Sequence, residues 1–75
     1  MPRPEKRSFT IGGHRTSISL EAPFWDALKE IAKREKQSLA QLVQGIDADR
    51  DDDGGLSSAV RIWILGYYRH GPPKP

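Results

Sequence analysis

Arg15, Ser17 and Ser19 alternate with Thr16, Ile18 and Leu20 along the stretch RTSISL. At a period of two, the first three share one side of an extended strand and the last three share the other. An arginine can engage O6 and N7 of a guanine together, and a serine hydroxyl both donates and accepts. A row of this kind can therefore read base edges in the major groove of duplex DNA, a groove that admits a two-stranded β-ribbon. Taken without any partner, the same row is the wet side of an ordinary antiparallel strand.

A second set of residues suits phosphate. Ser38 is placed to cap a helix starting at Leu39, whose first N–H groups and positive dipole end favour an anion. Lys36 lies just before that cap, so Lys36, Ser38 and Leu39 are candidate phosphate contacts. Arg3, Lys6 and Arg7 near the N-terminus add positive charge, and Lys6 and Arg7 join the phosphate set as members of a basic arm. Other chemistry finds little support. There is no cysteine, His14 and His70 lack a neighbouring carboxylate motif, and Gly12-Gly13 is too short for a nucleotide loop, so no catalytic, cofactor or metal site is expected. DRDDDGGLS imitates a calcium loop at Asp49, Asp51, Asp53 and Gly54, yet Val60 stands where the closing glutamate belongs. An acidic linker is the better reading.

Those residues need elements to hold them. MPRPEKR, 1–7, is polar with two prolines and reads as a flexible arm. SFTI and HRTSISL read as extended pieces around Gly12-Gly13, two residues that accept a hairpin's positive φ. Pro23 suits the first turn of a helix from about 22 to 36, with Phe24, Leu28, Ile31 and Ala32 as its apolar stripe. Leu39, Leu42, Val43 and Ile46 repeat that pattern in a second helix, which fades near Asp49. After DDDGG, Ser57 is placed to cap a third helix over about 58–69, and the chain closes with a Pro-rich tail, 70–75. That third helix is apolar almost all the way round, so it either sits between other helices or meets a second subunit. Trp25 and Trp63 read as core or subunit contacts.

The chain has 75 residues and a net charge of +2. Its first twenty residues carry Arg3, Lys6, Arg7 and Arg15 against Glu5 alone, and Lys29, Lys33, Arg34 and Lys36 cluster near the end of the first helix. Asp47, Asp49, Asp51, Asp52 and Asp53 form an acidic block relieved by Arg50. One end suits a polyanion and the middle repels one. A domain this small without disulfides favours a partner subunit as its support. A lone strand at 14–20 points the same way, since a second copy can supply an antiparallel neighbour. No run reaches the roughly 20 apolar residues of a membrane span, and the expected setting is cytoplasmic.

RTSISL, a helix begun by proline, a basic turn and QSLAQLV together resemble the ribbon-helix-helix family of DNA-binding proteins. GGHRTSISLE, FWDAL and LSSAVR resemble a group of short bacterial members, over about residues 8–69. The resemblance implies a mainly α fold: a homodimer with an intersubunit antiparallel β-ribbon and an additional C-terminal helix. It implies a regulator of transcription that binds double-stranded DNA through Arg15, Ser17 and Ser19, with phosphate contacts at Ser38 and Leu39. Two departures stand out: Ala40 replaces a frequent hydroxyl residue, and the third helix exceeds the minimal fold. The competing expectation is an antitoxin or other interaction module whose helix 58–69 binds a partner protein.

Overall fold

The computed structural model describes residues 3–49 and 55–71. Two strands, β1 (Glu5–Ile11) and β2 (His14–Leu20), are followed by three helices, α1 (Ala22–Arg34), α2 (Leu39–Asp49) and α3 (Leu56–His70). The strands pair antiparallel, with Ile11 opposite His14 at the turn and Glu5 opposite Leu20 at the far end. Gly12 and Gly13 carry φ of 59° and 82°, the two positive values of a type I′ turn that matches the twist of its strands. Three helices and one two-stranded sheet then fold around a single core.

The hairpin about Gly12-Gly13 is formed within one chain, and seven residues of β1 give β2 a neighbour along one edge. The intersubunit pairing expected of β2 concerns its other edge. The boundary drawn after residue 7 falls inside β1, so Lys6 and Arg7 belong to the sheet and not to a flexible arm. Composition misled here because strand formation in EKR depends on pairing across the turn and on a contact with α1. The Trp25 indole N–H donates to the Glu5 carbonyl at 2.8 Å, and the Trp25 ring stacks on Phe9 with centroids 6.1 Å apart.

One face of the hairpin closes the core. Ile18 and Leu20 are fully buried, and Ile11 nearly so. Against them α1 brings Trp25, Leu28, Ile31 and Ala32; α2 brings Leu42, Val43 and Ile46; α3 brings Val60, Ile64 and Tyr67. Trp25 takes the buried place expected of Phe24, which is only partly covered. The larger ring reaches under the hairpin, while Phe24 turns toward α3. Leu39 is likewise partly covered. Each fully buried aliphatic of this kind contributes about 1.5–3 kcal/mol.

α3 starts earlier than expected, at Leu56 with Gly55 as its cap. Ser57 does not cap it. Its Oγ instead accepts the N–H of Ser19 at 3.0 Å. Arg61, one turn on, donates to the Ser19 carbonyl at 3.2 Å and grips both carboxylate oxygens of Glu21 at 3.0 and 3.2 Å. The same guanidinium lies over the Phe24 ring. Tyr67 donates its hydroxyl proton to Glu35 at 3.0 Å; burial first, then this bond, raise its phenol above the ordinary value. α3 is therefore half enclosed: its inner row is core, while Ile62, Leu65 and Tyr68 remain 68%, 55% and 48% exposed. Among the described residues no buried side-chain polar atom lacks a partner. The expected acidic loop, Asp51 to Gly54, and the tail after Gly71 lie outside the described residues.

A main-chain hydrogen bond at Glu21, then the bonds from Arg61, hold the Glu21 carboxyl below the usual carboxylate range. A depressed folded-state value stabilises above the unfolded value and is lost as pH falls through the folded one. Urea midpoints measured near neutral pH and at about pH 3 should therefore converge in Glu21→Gln relative to the parent chain. An undiminished acid loss in that variant would contradict the assignment.

Candidate nucleic-acid interface

Opposed residues of an antiparallel pair share a face, so the register sorts the hairpin into two sides. Toward the helices lie Glu5, Arg7, Phe9 and Ile11 with His14, Thr16, Ile18 and Leu20. Away from them lie three cross-strand pairs: Lys6 with Ser19, Ser8 with Ser17, and Thr10 with Arg15. This outer side holds two cations, four hydroxyls and no carboxylate. All six residues are exposed apart from Ser19, which α3 half covers. Ser8 Oγ and Ser17 Oγ stand 3.4 Å apart, a loose contact that leaves both hydroxyls available.

Arg15, Ser17 and Ser19 thus share one face, as the alternation in β2 requires. Three partners on that face, Lys6, Ser8 and Thr10, come from β1. Ser8 and Thr10 were missed by sequence reasoning, although KRSFTI carries the same period-two signal. Arg7 is the exception among the expected contacts. It sits on the opposite side, with its guanidinium carbon 5.1 Å from the Trp25 ring centroid, where a cation–π contact holds it over α1.

The second expected group is assembled at the turn between α1 and α2. Lys36 N–H donates to the Lys33 carbonyl and Gln37 N–H to the Ala32 carbonyl, the paired bonds of a Schellman ending. That ending places Lys36 at φ 55°, a left-handed position where glycine is usual and other residues are strained. Ser38 then opens α2 through a capping box: Ser38 N–H donates to Gln41 Oε1 at 2.9 Å, and Gln41 N–H to Ser38 Oγ at 3.0 Å. Both Ser38 groups are committed to the helix. Among the described residues, the N–H groups of Leu39 and Ala40 have no acceptor, so the open donors of this terminus are those two. Of the three N–H groups expected to be free here, Ser38, Leu39 and Ala40, the bond to Gln41 takes that of Ser38.

Hairpin, two helices in sequence and an open second helix N-terminus are the parts of a known arrangement. A ribbon-helix-helix domain model matches residues 4–68. The chain belongs to the ribbon-helix-helix family. Domains of this family are generally DNA-binding regulators. Neither a curated protein nor a solved structure matches the chain. Among the described residues no group of acidic, histidine or cysteine side chains is placed to hold a metal ion, and no helix is long and apolar enough to cross a membrane.

The left-handed lysine offers a check on this geometry. Lys36→Gly removes side-chain strain at C′ and should stabilise the fold by about 0.5–1 kcal/mol in urea unfolding, the gain being reduced by glycine's greater freedom in the unfolded chain. A destabilised variant would show that Lys36 is held by contacts other than the turn.

Proposed function

We propose that this ribbon-helix-helix chain is a homodimeric, cytoplasmic regulator of transcription that reads double-stranded DNA with the outer face of its hairpin. The observation that supports this reading most is that face itself: Arg15, Ser17 and Ser19 on β2 beside Lys6, Ser8 and Thr10 on β1, with no carboxylate among them. Strands about 4.8 Å apart form a ribbon that enters a major groove about 12 Å wide. Arg15 faces guanine O6 and N7, and the short serine side chains let the backbone approach the base edges. Two hairpins joined by their β2 edges would span about 14 Å between outer strands, which sets the β1 strands and Lys6 against the phosphate walls.

Phosphates fix the register without specifying sequence. The open N–H groups of Leu39 and Ala40 face one phosphate, positioned by the Ser38 cap, and Lys36 supplies the charge beside them. Strain at Lys36 fits a functional side chain kept in place at a small cost in stability. Arg7, over Trp25, is left out of the contact set.

A second reading rests on the exposed row of α3. Leu65 and Tyr68, with Pro23, Phe24, Ala27 and Ile64, line an apolar groove of about 250 Å³, and Ile62 is exposed on the same helix, which suits a partner protein as an antitoxin would require. Removing α3 would not test this, since Val60, Ile64 and Tyr67 are core; Leu65→Ser with Ile62→Ser leaves the core intact.

Selection of sites from random duplex DNA at stated salt supplies the ligand for the main test. Arg15→Ala should lose about 1–3 kcal/mol on the selected site and relax its preference at one base pair. Lys6→Ala and Lys36→Gly should weaken selected and random DNA alike and lower the salt slope by about one each. Equal losses on both DNAs for Arg15→Ala would remove it as a base reader.

A further inference from the structure

The edge of β2 that faces away from β1 is not uniform. Ser19 sends its N–H to Ser57 and its carbonyl to Arg61, both on α3. Its main-chain groups therefore point off the sheet, which makes Lys6–Ser19 a non-hydrogen-bonded pair of the hairpin. Such pairs alternate along a ladder, so Ser8–Ser17 and Thr10–Arg15 are of the same kind. The N–H and carbonyl groups of Arg15 and Ser17 consequently point off the same edge. Among the described residues nothing is bonded to them. β2 thus offers two open positions, 15 and 17, and one that α3 has closed, 19.

This matters for how a second copy can add. Two identical antiparallel strands meet about a two-fold axis, and their hydrogen-bonded pairs must join residues whose main-chain groups point outward. A wholly open edge would favour an axis at Ser17, which joins 17 to 17, 15 to 19 and 19 to 15. Closure of Ser19 removes the latter two pairs. An axis at Thr16 joins 15 to 17 and 17 to 15 and leaves Ser19 outside the overlap. It makes two complete pairs where the alternative retains one.

We infer that α3 sets the register of the dimer: Ser57 and Arg61 cap β2 at Ser19 and confine pairing with a second copy to Arg15 and Ser17, with Thr16 facing Thr16 on the axis. This inference rests on the dimeric reading above and goes beyond it by naming the pairing. The cap is a held one. Arg61 is anchored by both oxygens of Glu21 while its Nη2 serves Ser19, and Ser57 sits in the first turn of a helix whose inner row is core. On the outer face the Thr16 axis brings each Arg15 beside Ser17 of the second copy, so the two arginines stand close to the centre of the reading surface.

The chain has no cysteine, so single cysteines report the register directly. With the axis at Thr16, positions 15 and 17 of the two copies lie about 5.5 Å apart between Cα atoms, whereas 17 and 17 lie roughly 8 Å apart. Disulfides form below about 7 Å. Ser17→Cys alone should therefore oxidise poorly to a covalent dimer, and a mixture of Ser17→Cys with Arg15→Cys should give mainly the mixed product. Adding Ser57→Ala and Arg61→Ala should move the dominant product to the 17–17 disulfide. Ready 17–17 or 15–15 crosslinking in chains that retain Ser57 and Arg61 would overturn the inference, as would an unchanged mixed product when both are removed. Sedimentation of the cysteine-free chain separates the two levels: a monomer at all concentrations defeats the dimeric reading and the register with it, whereas a dimer with the wrong crosslink defeats the register alone.

Discussion

Everything in this small domain follows from the register that Gly12 and Gly13 impose on two seven-residue strands. A strand's side chains alternate strictly, so a slip of one residue would exchange the inward and outward sets. Ile18 and Leu20 would leave the core and Ser17 and Ser19 would enter it. The turn is short enough, and its two positive φ values specific enough, to allow one pairing. Trp25 reinforces it from below, since its indole N–H bonds to Glu5 at the far end of β1. Core and polar face are thus two consequences of one constraint.

α3 extends this logic to the edge. Sheet edges expose unpaired main-chain groups and invite uncontrolled addition of strands. Here a hydroxyl and a guanidinium take the place of a neighbouring strand at Ser19, and an ion pair with Glu21 holds the guanidinium there. The helix that buries Val60, Ile64 and Tyr67 is therefore also the element that decides how much of β2 stays open. Its outer row, Ile62, Leu65 and Tyr68, contributes nothing to either task. The Lys36 turn shows a similar economy: one Schellman ending stops α1, and the capping box that follows leaves Leu39 and Ala40 with N–H groups that no acceptor among the described residues meets.

Period-two alternation made β2 and its polar row legible from RTSISL, and apolar spacing placed all three helices within a few residues. The rest depended on contacts between distant positions. EKR reads as an arm because its charges say nothing of pairing with ISL, fifteen residues on at one end of the ladder. Ser57 has the composition of a helix cap, and only the approach of β2 shows that its hydroxyl is spent elsewhere. Phe24 and Trp25 are neighbours on the same stripe, and local periodicity does not choose between them; the reach of the indole to Glu5 does. Arg7 and Lys6 look interchangeable in sequence, yet adjacent strand positions face opposite ways, and that single step separates a ring-stacked cation from one on the polar face.

The claim that the outer side of this hairpin meets DNA from the major groove has a direct test. Intermolecular nuclear Overhauser contacts can be collected between the isotope-labelled chain and an unlabelled duplex carrying its selected site. The account requires contacts from Ser17, Ser19 and Arg15 side-chain protons to cytosine H5 or thymine methyl groups, which line the major groove. Contacts instead from Ile62 or Leu65, or from any residue to adenine H2 in the minor groove, would contradict it.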